Sequence, residues 1–358
     1  MLLAIETSCD ECSASVLERN AKNRLRVLSV KTFSQVAIHR PYGGVVPEVA
    51  SRNHLETVSQ IIDDAIRSAK VKPSELEAIA VTNRPGLVGA LLVGVSAAKA
   101  MAYALDLPIV PVHHLEGHAA SIFLDQPEDF PLWESANYPL LLCIVSGGHT
   151  NLHVVQTPPD EWPKNFLKST LVGRSRDDAA GEAFDKTAKL LGFPYPGGVK
   201  IDQMSQGANP KAFDLPRALP QKAVHDFSFS GLKTAVSLVV DKLKASGELE
   251  SRKADLCASI QEAIVDALLS KIFLAAEKYG CKSLAVVGGV AANSRLRKRL
   301  ETEWSQHGLK HPPIFPKMEY CTDNAAMIGA AGAFRFAQKG FLTQPDLLRL
   351  NAIANPES

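Results

Sequence analysis

Two strand–turn–strand segments stand about half a chain apart in the sequence, and no other feature limits the possible folds as tightly. Residues 2–7 (LLAIET) are short and apolar, as a buried strand requires. They end in the tight polar turn Ser8-Cys9-Asp10-Glu11-Cys12-Ser13, after which 14–17 and 26–33 read as returning strands. The pattern restarts at 139–145, turns through Ser146-Gly147-Gly148-His149-Thr150 and returns over 151–156. A repeat of this kind predicts an α/β chain with two duplicated lobes. At 358 residues the chain also exceeds what one hydrophobic core usually supports.

Between and after the hairpins the elements alternate. Pro47 opens a helix through about Ala69, since proline suits a first helical position. A strand follows at 77–83, then an Ala/Gly-rich helix at 87–105, then a strand at 108–112. The polar, proline-bearing stretch 125–137 reads as the first crossing between lobes. In the second half, Asp177 opens a helix with acids in its first turn, as the helix dipole prefers. A short helix begins at Ile201-Asp202, another follows Phe227-Ser228-Phe229-Ser230-Gly231, and 253–279 is long and amphipathic. Residues 283–287 form a buried strand that leads into Gly288-Gly289-Val290-Ala291-Ala292-Asn293 and a helix from about Ser294. Cys321-Thr322-Asp323-Asn324 caps a small-residue helix through Gln338, with Asp323 a good cap type. The last twenty or so residues read as a loosely ordered tail.

The net charge of +1 gives no bulk argument for nucleic acid, so any such partner must be met by a local patch. The first residues lack a basic region, and their apolar run stops at Glu6, which argues against a secretory signal. No apolar run is expected to span a membrane. Six scattered cysteines fit reduced cytosolic thiols, and the lone Cys9-x-x-Cys12 pair has no second pair to complete a zinc site. A cytoplasmic protein without membrane partners is the expectation.

Candidate chemistry begins at His113-His114-Leu115-Glu116-Gly117-His118. If a helix starts there, His114 and His118 lie at i and i+4 on one face, where two imidazoles can hold one divalent ion. The alternative is a pair of helix histidines with ordinary partners. The likeness to the zinc-peptidase HExxH is superficial, because Glu116 stands one residue late. Three glycine- or serine-rich turns follow strands, at 8–13, 146–150 and 288–293. Successive backbone N–H groups at such turns form anion nests, so two of them are expected to grip phosphates and the third to face a nucleoside. Plain turn chemistry is the competing reading of each one.

Taken together, Ile5-Glu6-Thr7-Ser8-Cys9-Asp10-Glu11, YGGVVPEVAS over 42–51, HHLEGH over 113–118, VSGGHT over 145–150, DDAAGEAFDK over 177–186, GGVAAN over 288–293 and CTDN over 321–324 resemble the tRNA threonylcarbamoyladenosine synthases of the TsaD type. That family was formerly described as O-sialoglycoproteases. The resemblance runs from the first strand to about Gly340. It implies the actin/sugar-kinase/Hsp70-like ATPase fold, with two lobes around a nucleotide cleft. The expected division is 1–124 plus 324–358 for the lobe with the HxxxH helix, and 125–323 for the lobe with the nucleotide motifs. The implied reaction moves the threonylcarbamoyl group of threonylcarbamoyl-adenylate to N6 of adenosine 37 in tRNAs that read codons starting with A, releasing AMP. By the same resemblance His114, His118 and Asp323 are metal ligands. Two histidines and one carboxylate favour iron(II), with zinc also compatible. Ile144, Val145, Ser146, Gly147, Gly148, Asp185, Gly198, Asp202 and Asn293 match nucleotide- and substrate-binding positions. Asp10 is read as a catalytic-site carboxylate that aligns the donor or accepts the amine proton, with Glu11 as its neighbour. Implied partners are tRNA, a paralogous protein of the same fold and a small P-loop ATPase.

Cys12, Arg84 and the Arg174/Arg176 pair depart from the family pattern without removing a ligand. Two rival activities remain. A metallopeptidase rests on the histidine pair and needs a general-base glutamate that Glu116 does not supply at the right offset. A small-molecule kinase rests on the phosphate turns and has no use for a buried metal site.

Overall fold

The structure, a computed structural model, describes residues 1–22, 24–159, 169–221 and 224–354. The chain divides into two compact units. Unit 1 holds Met1–Trp133, a piece starting at Thr157 and the stretch from Pro316 onward; unit 2 holds Glu134–Gln156 and Ser169–Phe315.

Unit 1 is built on the first hairpin. β1 (Leu2–Glu6) pairs antiparallel with β2 (Glu11–Arg19), which pairs antiparallel with β3 (Leu25–Ser34). The four-residue α1 (Val36–His39) leads to α2 (Pro47–Ala69), which starts on Pro47 and ends on Lys70 in the left-handed region. β4 (Ala78–Arg84), α3 (Val88–Leu105) and β5 (Ile109–His113) follow, and β1, β4 and β5 run parallel. The sheet order is β3-β2-β1-β4-β5. Alternation divides its residues between two faces. Leu3, Ile5, Val16, Ile79 and Val81 share one core with Val58 and Ile62 of α2 and Val95 of α3. Against the other face lie α4 (His114–Ala120) and, later in the chain, α10 (Ala325–Ala337). The small residues of α10 set that approach: a Cβ on Gly329 would stand 2.1 Å from Leu17 Cδ1, and one on Gly332 2.4 Å from Ala80 Cβ.

Unit 2 repeats the plan. β6 (Leu140–Val145) pairs antiparallel with β7 (Thr150–Val155), β7 with β8 (Ser169–Arg174), and β6 runs parallel to β9 (Ser283–Val287). The order β8-β7-β6-β9 matches the first four strands of the other sheet, rank for rank. α5 (Ala180–Leu190), α6 (Gly198–Met204), α7 (Ser230–Ala245), α8 (Leu249–Lys278) and α9 (Ser294–Glu303) complete the unit. Side chains of α5, α7 and α8 share a core with Leu141, Cys143 and Leu152 of the sheet. Two units with one repeated strand order are the duplicated α/β layout of the actin/sugar-kinase/Hsp70-like fold.

The structure corrects several readings. Residues 125–133 stay with unit 1 because Asp125 accepts from the Val27 N–H at 2.8 Å and Arg24 stacks over Trp133 at 3.9 Å. Residues 316–323 belong there too: Tyr320 donates to Asp125 Oδ2 at 2.8 Å, so Asp323 lies in unit 1. The cap of α10 is Asn324, whose side chain accepts from Met327 N, and this leaves the neighbouring Asp323 carboxylate out of the capping. By length and composition α3 is apolar enough to cross a membrane, contrary to expectation. Ala90, Leu91, Gly94, Val95, Ala98 and Ala102 are its buried face, while Val88, Leu92, Tyr103 and Leu105 are exposed. The tail is also anchored. Leu347 and Leu350 are buried in the unit 1 core, and Ile353 N donates to Asn83 O at 2.8 Å. Residues 355–358 lie outside those described.

Candidate functional site

The histidine pair arises where β5 passes directly into α4. His113 caps the helix, its Nδ1 accepting from Leu115 N at 3.2 Å, which fixes the phase of the next turn. His114 and His118 then face the same side, with ring centroids 4.8 Å apart and planes nearly perpendicular. Gly117 lets α10 close over them, since a Cβ there would stand 2.6 Å from Ile328 Cδ1. The close approach brings Asp323 into place: its Oδ1 lies 3.5 Å from His114 Nε2 and 3.2 Å from His118 Nε2. The three donor atoms fall within 4.8 Å of one another.

Two observations test whether this group suits a divalent ion. His118 is fully buried; among the described residues its Nδ1 has no hydrogen-bond partner, and its Nε2 faces only Asp323 Oδ1, at 3.2 Å. A buried imidazole in that state has a lone pair directed at nothing but the Asp323 side. The two approaches to Asp323, 3.5 and 3.2 Å, match ligands held about 2.0–2.2 Å from one ion, which fall roughly 3–3.5 Å apart. The residues fit.

Electrostatics agrees. Burial alone would push the Asp323 carboxyl up, but His114 and His118 outweigh it and hold it well below the usual range. Burial pushes the His114 imidazole down, while Asp323 and Glu6 pull it well above its usual value. The pocket therefore demands positive charge between two carboxylates, which a proton or a cation satisfies. Glu116 is engaged elsewhere, in an ion pair with Arg335 at 2.7 Å, so it is not available as the base of a peptidase.

Asp10 and Glu11 stand at the end of the first hairpin, in the same unit. The Ser13 hydroxyl of that hairpin accepts from Ala325 N at 3.0 Å and so ties it to the start of α10. Asp10 is buried, and its Oδ2 has no hydrogen-bond partner among the described residues. Burial, Asp10 and Asp323 push the Glu11 carboxyl up to about 9. Like charges crowded into one site leave a proton on one of them. The turn itself is clamped from α2: His54 Nε2 donates to Cys9 O at 2.8 Å, and Gln35 Nε2 bridges His54 Nδ1 at 3.1 Å and Ala50 O at 3.2 Å. Burial pushes the His54 imidazole down, consistent with a neutral ring that accepts at Nδ1 and donates at Nε2.

The remaining predicted residues lie in unit 2. Ile144, Val145 and Ser146 are buried, so the open part of that motif is Gly147 and Gly148. Added Cβ atoms on Gly147 or Gly148 would meet nothing within 4 Å among the described residues. The 288–293 turn abuts this one. Gly288 has φ +94°, and a Cβ on it would stand 2.5 Å from Val145 O, so only glycine serves there. Asp185 accepts from Gly197 N at 2.7 Å and Gly198 N at 3.2 Å. Asp202 accepts from Ser294 Oγ at 2.6 Å and Ser294 N at 3.1 Å. Asn293 caps α9 through Leu296 N and donates to Gln261 Oε1 at 2.7 Å. Asp185, Asp202 and Asn293 thus make the frame that shapes these loops.

Sequence reasoning missed Glu6, Thr82, His54 and Gln35 as site residues. A carboxylate closing an otherwise apolar strand was the available signal for Glu6; nothing in the spacing pointed to the others.

The family model for TsaD, tRNA N6-adenosine threonylcarbamoyltransferase, matches residues 26–330. Relatives bearing that name are 45% identical in Moorella thermoacetica (98% of this chain, 95% of the relative) and 47% identical in Syntrophobacter fumaroxidans (96% and 97%). A third, from Anaeromyxobacter dehalogenans, is 48% identical over 97% of each chain. With most of its length matched by the family and by these relatives, the chain belongs to the TsaD family of tRNA N6-adenosine threonylcarbamoyltransferases.

Proposed function

We propose that the hairpin turn carrying Asp10 and Glu11, together with His114, His118 and Asp323, is where this transferase carries out threonylcarbamoyl transfer. The observation that carries the reading is His118, wholly buried with its Nε2 facing only the anionic Asp323 among the described residues. His114, His118 and Asp323 would hold one divalent ion, iron(II) favoured by the ligand set and zinc compatible with it. Such an ion supplies Lewis acidity that polarises a carbonyl or phosphoryl oxygen.

The remaining chemistry falls to the chain. The donor, threonylcarbamoyl-adenylate, is a mixed anhydride; N6 of adenosine 37 forms a bond to its carbamoyl carbon, the bond from that carbon to the phosphate oxygen breaks, and AMP leaves. The N6 proton needs an acceptor, and the Asp10 carboxylate, buried with one oxygen unpartnered among the described residues, suits that task. Glu11, protonated at neutral pH, suits donation of a hydrogen bond to the donor. In unit 2 the open backbone of Gly147 and Gly148, beside the buried Ser146, and the adjoining 288–293 turn suit the adenylate, with Gly198 and the framing side chains of Asp185, Asp202 and Asn293 shaping the site. Expulsion of water and fixed orientation matter here because an exocyclic adenine amine is a weak nucleophile.

With a net charge of +1, the chain is proposed to share tRNA binding with a paralogous same-fold protein and a small P-loop ATPase. Leu55 of α2 and Val88 and Leu92 of α3 are exposed apolar residues that suit a protein partner. Six free cysteines suit a reducing, cytoplasmic location.

Single-turnover transfer from preformed donor to unmodified tRNA tests the reading. Asp323→Ala is expected to lose metal and transfer together. Asp10→Asn is expected to keep metal and donor affinity while transfer slows roughly 10²–10⁴-fold. Full metal occupancy in the first variant, or near-normal transfer in the second, would refute the corresponding role.

A further inference from the structure

Glu6 is the last residue of β1, and its side chain is wholly buried. A carboxylate in that position is costly unless several donors meet it. Three do. Oε1 accepts from Ser8 N at 2.5 Å, Oε2 accepts from the Thr82 hydroxyl of β4 at 2.5 Å, and His114 Nδ1 stands 3.3 Å from the same Oε2. His114 presents its opposite nitrogen, Nε2, to Asp323. The imidazole thus lies between two carboxylates, one for each ring nitrogen.

We infer that Glu6 is a positioning residue: it holds His114 in the tautomer with the proton on Nδ1, leaving the Nε2 lone pair for a metal. The inference rests on the metal reading above and adds a residue to it. Charge supports it, since one divalent ion, Asp323 and Glu6 sum to zero with both histidines neutral. Topology supports it too. Parallel pairing of β1 with β4 places Glu6 and Thr82 at the ends of neighbouring strands, and β5, next in the sheet, delivers His114 immediately beyond its own end. The sheet thereby fixes all three groups on rigid backbone. Ser8 Oγ, 3.0 Å from His114 Nδ1, is a competing partner and must be tested separately.

Glu6→Gln is the informative replacement. A carboxylate accepts on both oxygens, whereas an amide accepts on one. The amide NH2 must face either Ser8 N–H or His114 Nδ1–H, and in the second case the imidazole is driven to the tautomer that blocks Nε2. Cobalt(II) added to the chelator-treated full-length chain, followed by its visible absorption and by chelator competition, reads the affinity directly. Glu6→Gln is expected to weaken cobalt binding roughly 10–100-fold, the usual range for losing an outer partner of a ligand histidine. Thr82→Val, which removes only the hydroxyl donor to Oε2, is expected to weaken it by a smaller factor, and it decides the matter if Glu6→Gln does not fold. Wild-type affinity in Glu6→Gln or, failing that, in Thr82→Val overturns the inference. So does a loss in Ser8→Ala with none in Thr82→Val, which would assign the tautomer to Ser8. Failure of the wild-type chain to bind cobalt at all would instead refute the metal reading, and this inference with it.

Discussion

At the scale of single residues, the first hairpin carries opposite protonation states on groups of one chemical type. Glu6 accepts three donors and is anionic, its carboxyl pushed up by burial but pulled below its ordinary value by His114. Glu11, five residues on, meets Asp10 and Asp323 and keeps its proton. A carboxyl whose folded-state pKa is raised stabilises the fold fully below its unfolded value, and that contribution is lost as pH rises through the folded value. For Glu11 the window runs from 4.5 up through about 9. Chelator-treated protein is therefore expected to lose thermal stability across that window, and Glu11→Gln, which stays neutral, to lose less. Unfolding midpoints of both proteins against pH check this, and parallel curves would contradict it. Restoring the divalent ion should shift that window to lower pH, because a cation beside Asp323 favours the charged form of Glu11.

Elements place these residues by way of their ends. β1, β4 and β5 run parallel, so their carboxyl ends emerge along one edge of the sheet, where open α/β sheets generally bind ligands. β6 and β9 repeat the arrangement in unit 2, and the turns that follow them meet at Gly288 and Val145. This contact makes a distinct prediction for Gly289, where an added Cβ would meet no atom of the described residues within 4 Å. Gly289→Val should fold normally, retain metal and weaken binding of AMP or a nonhydrolysable adenylate by at least about tenfold, since a branched side chain would occupy the ligand's space. Equilibrium binding measures it; unchanged affinity would move the nucleotide away from this turn.

For the whole molecule, the C-terminal stretch is part of unit 1, with Leu347 fully buried among α2, α3 and sheet residues. Its backbone also reaches the 83–86 loop, and Gly86 packs against Ser8 so closely that a Cβ would stand 2.6 Å from Ser8 O. Leu347→Ala is accordingly expected to cost about 2–5 kcal/mol in chemical denaturation, the range for a buried leucine truncation. A loss near zero would return the tail to the status of a loose appendage. Near-neutral charge has its consequence at this scale as well, because affinity for tRNA phosphates must come from local arginines and lysines or from partners rather than from bulk attraction.

The sequence alone determined the elements whose signals are local. Pro47 at a helix start, the apolar run 283–287 and the i, i+4 histidines depend on neighbours a few residues away, and α2, β9 and α4 follow from them. Duplication of the hairpin was legible for the same reason, as were the motifs of the TsaD family. Tertiary structure decided which groups share a charge environment. Asp323 is tied to unit 1 by packing around Asp125 and Tyr320, not by its own neighbours. Asp185, Asp202 and Asn293 became loop-framing groups because backbone N–H donors far along the chain, or next to them in a cap, reached them first. Glu6 looked like the end of an apolar strand, and only three donors converging from Ser8, Thr82 and His114 disclose its charge. Periodicity and caps are short-range and written along the chain, whereas burial and Coulomb interactions act through space and exist only once distant segments are packed together.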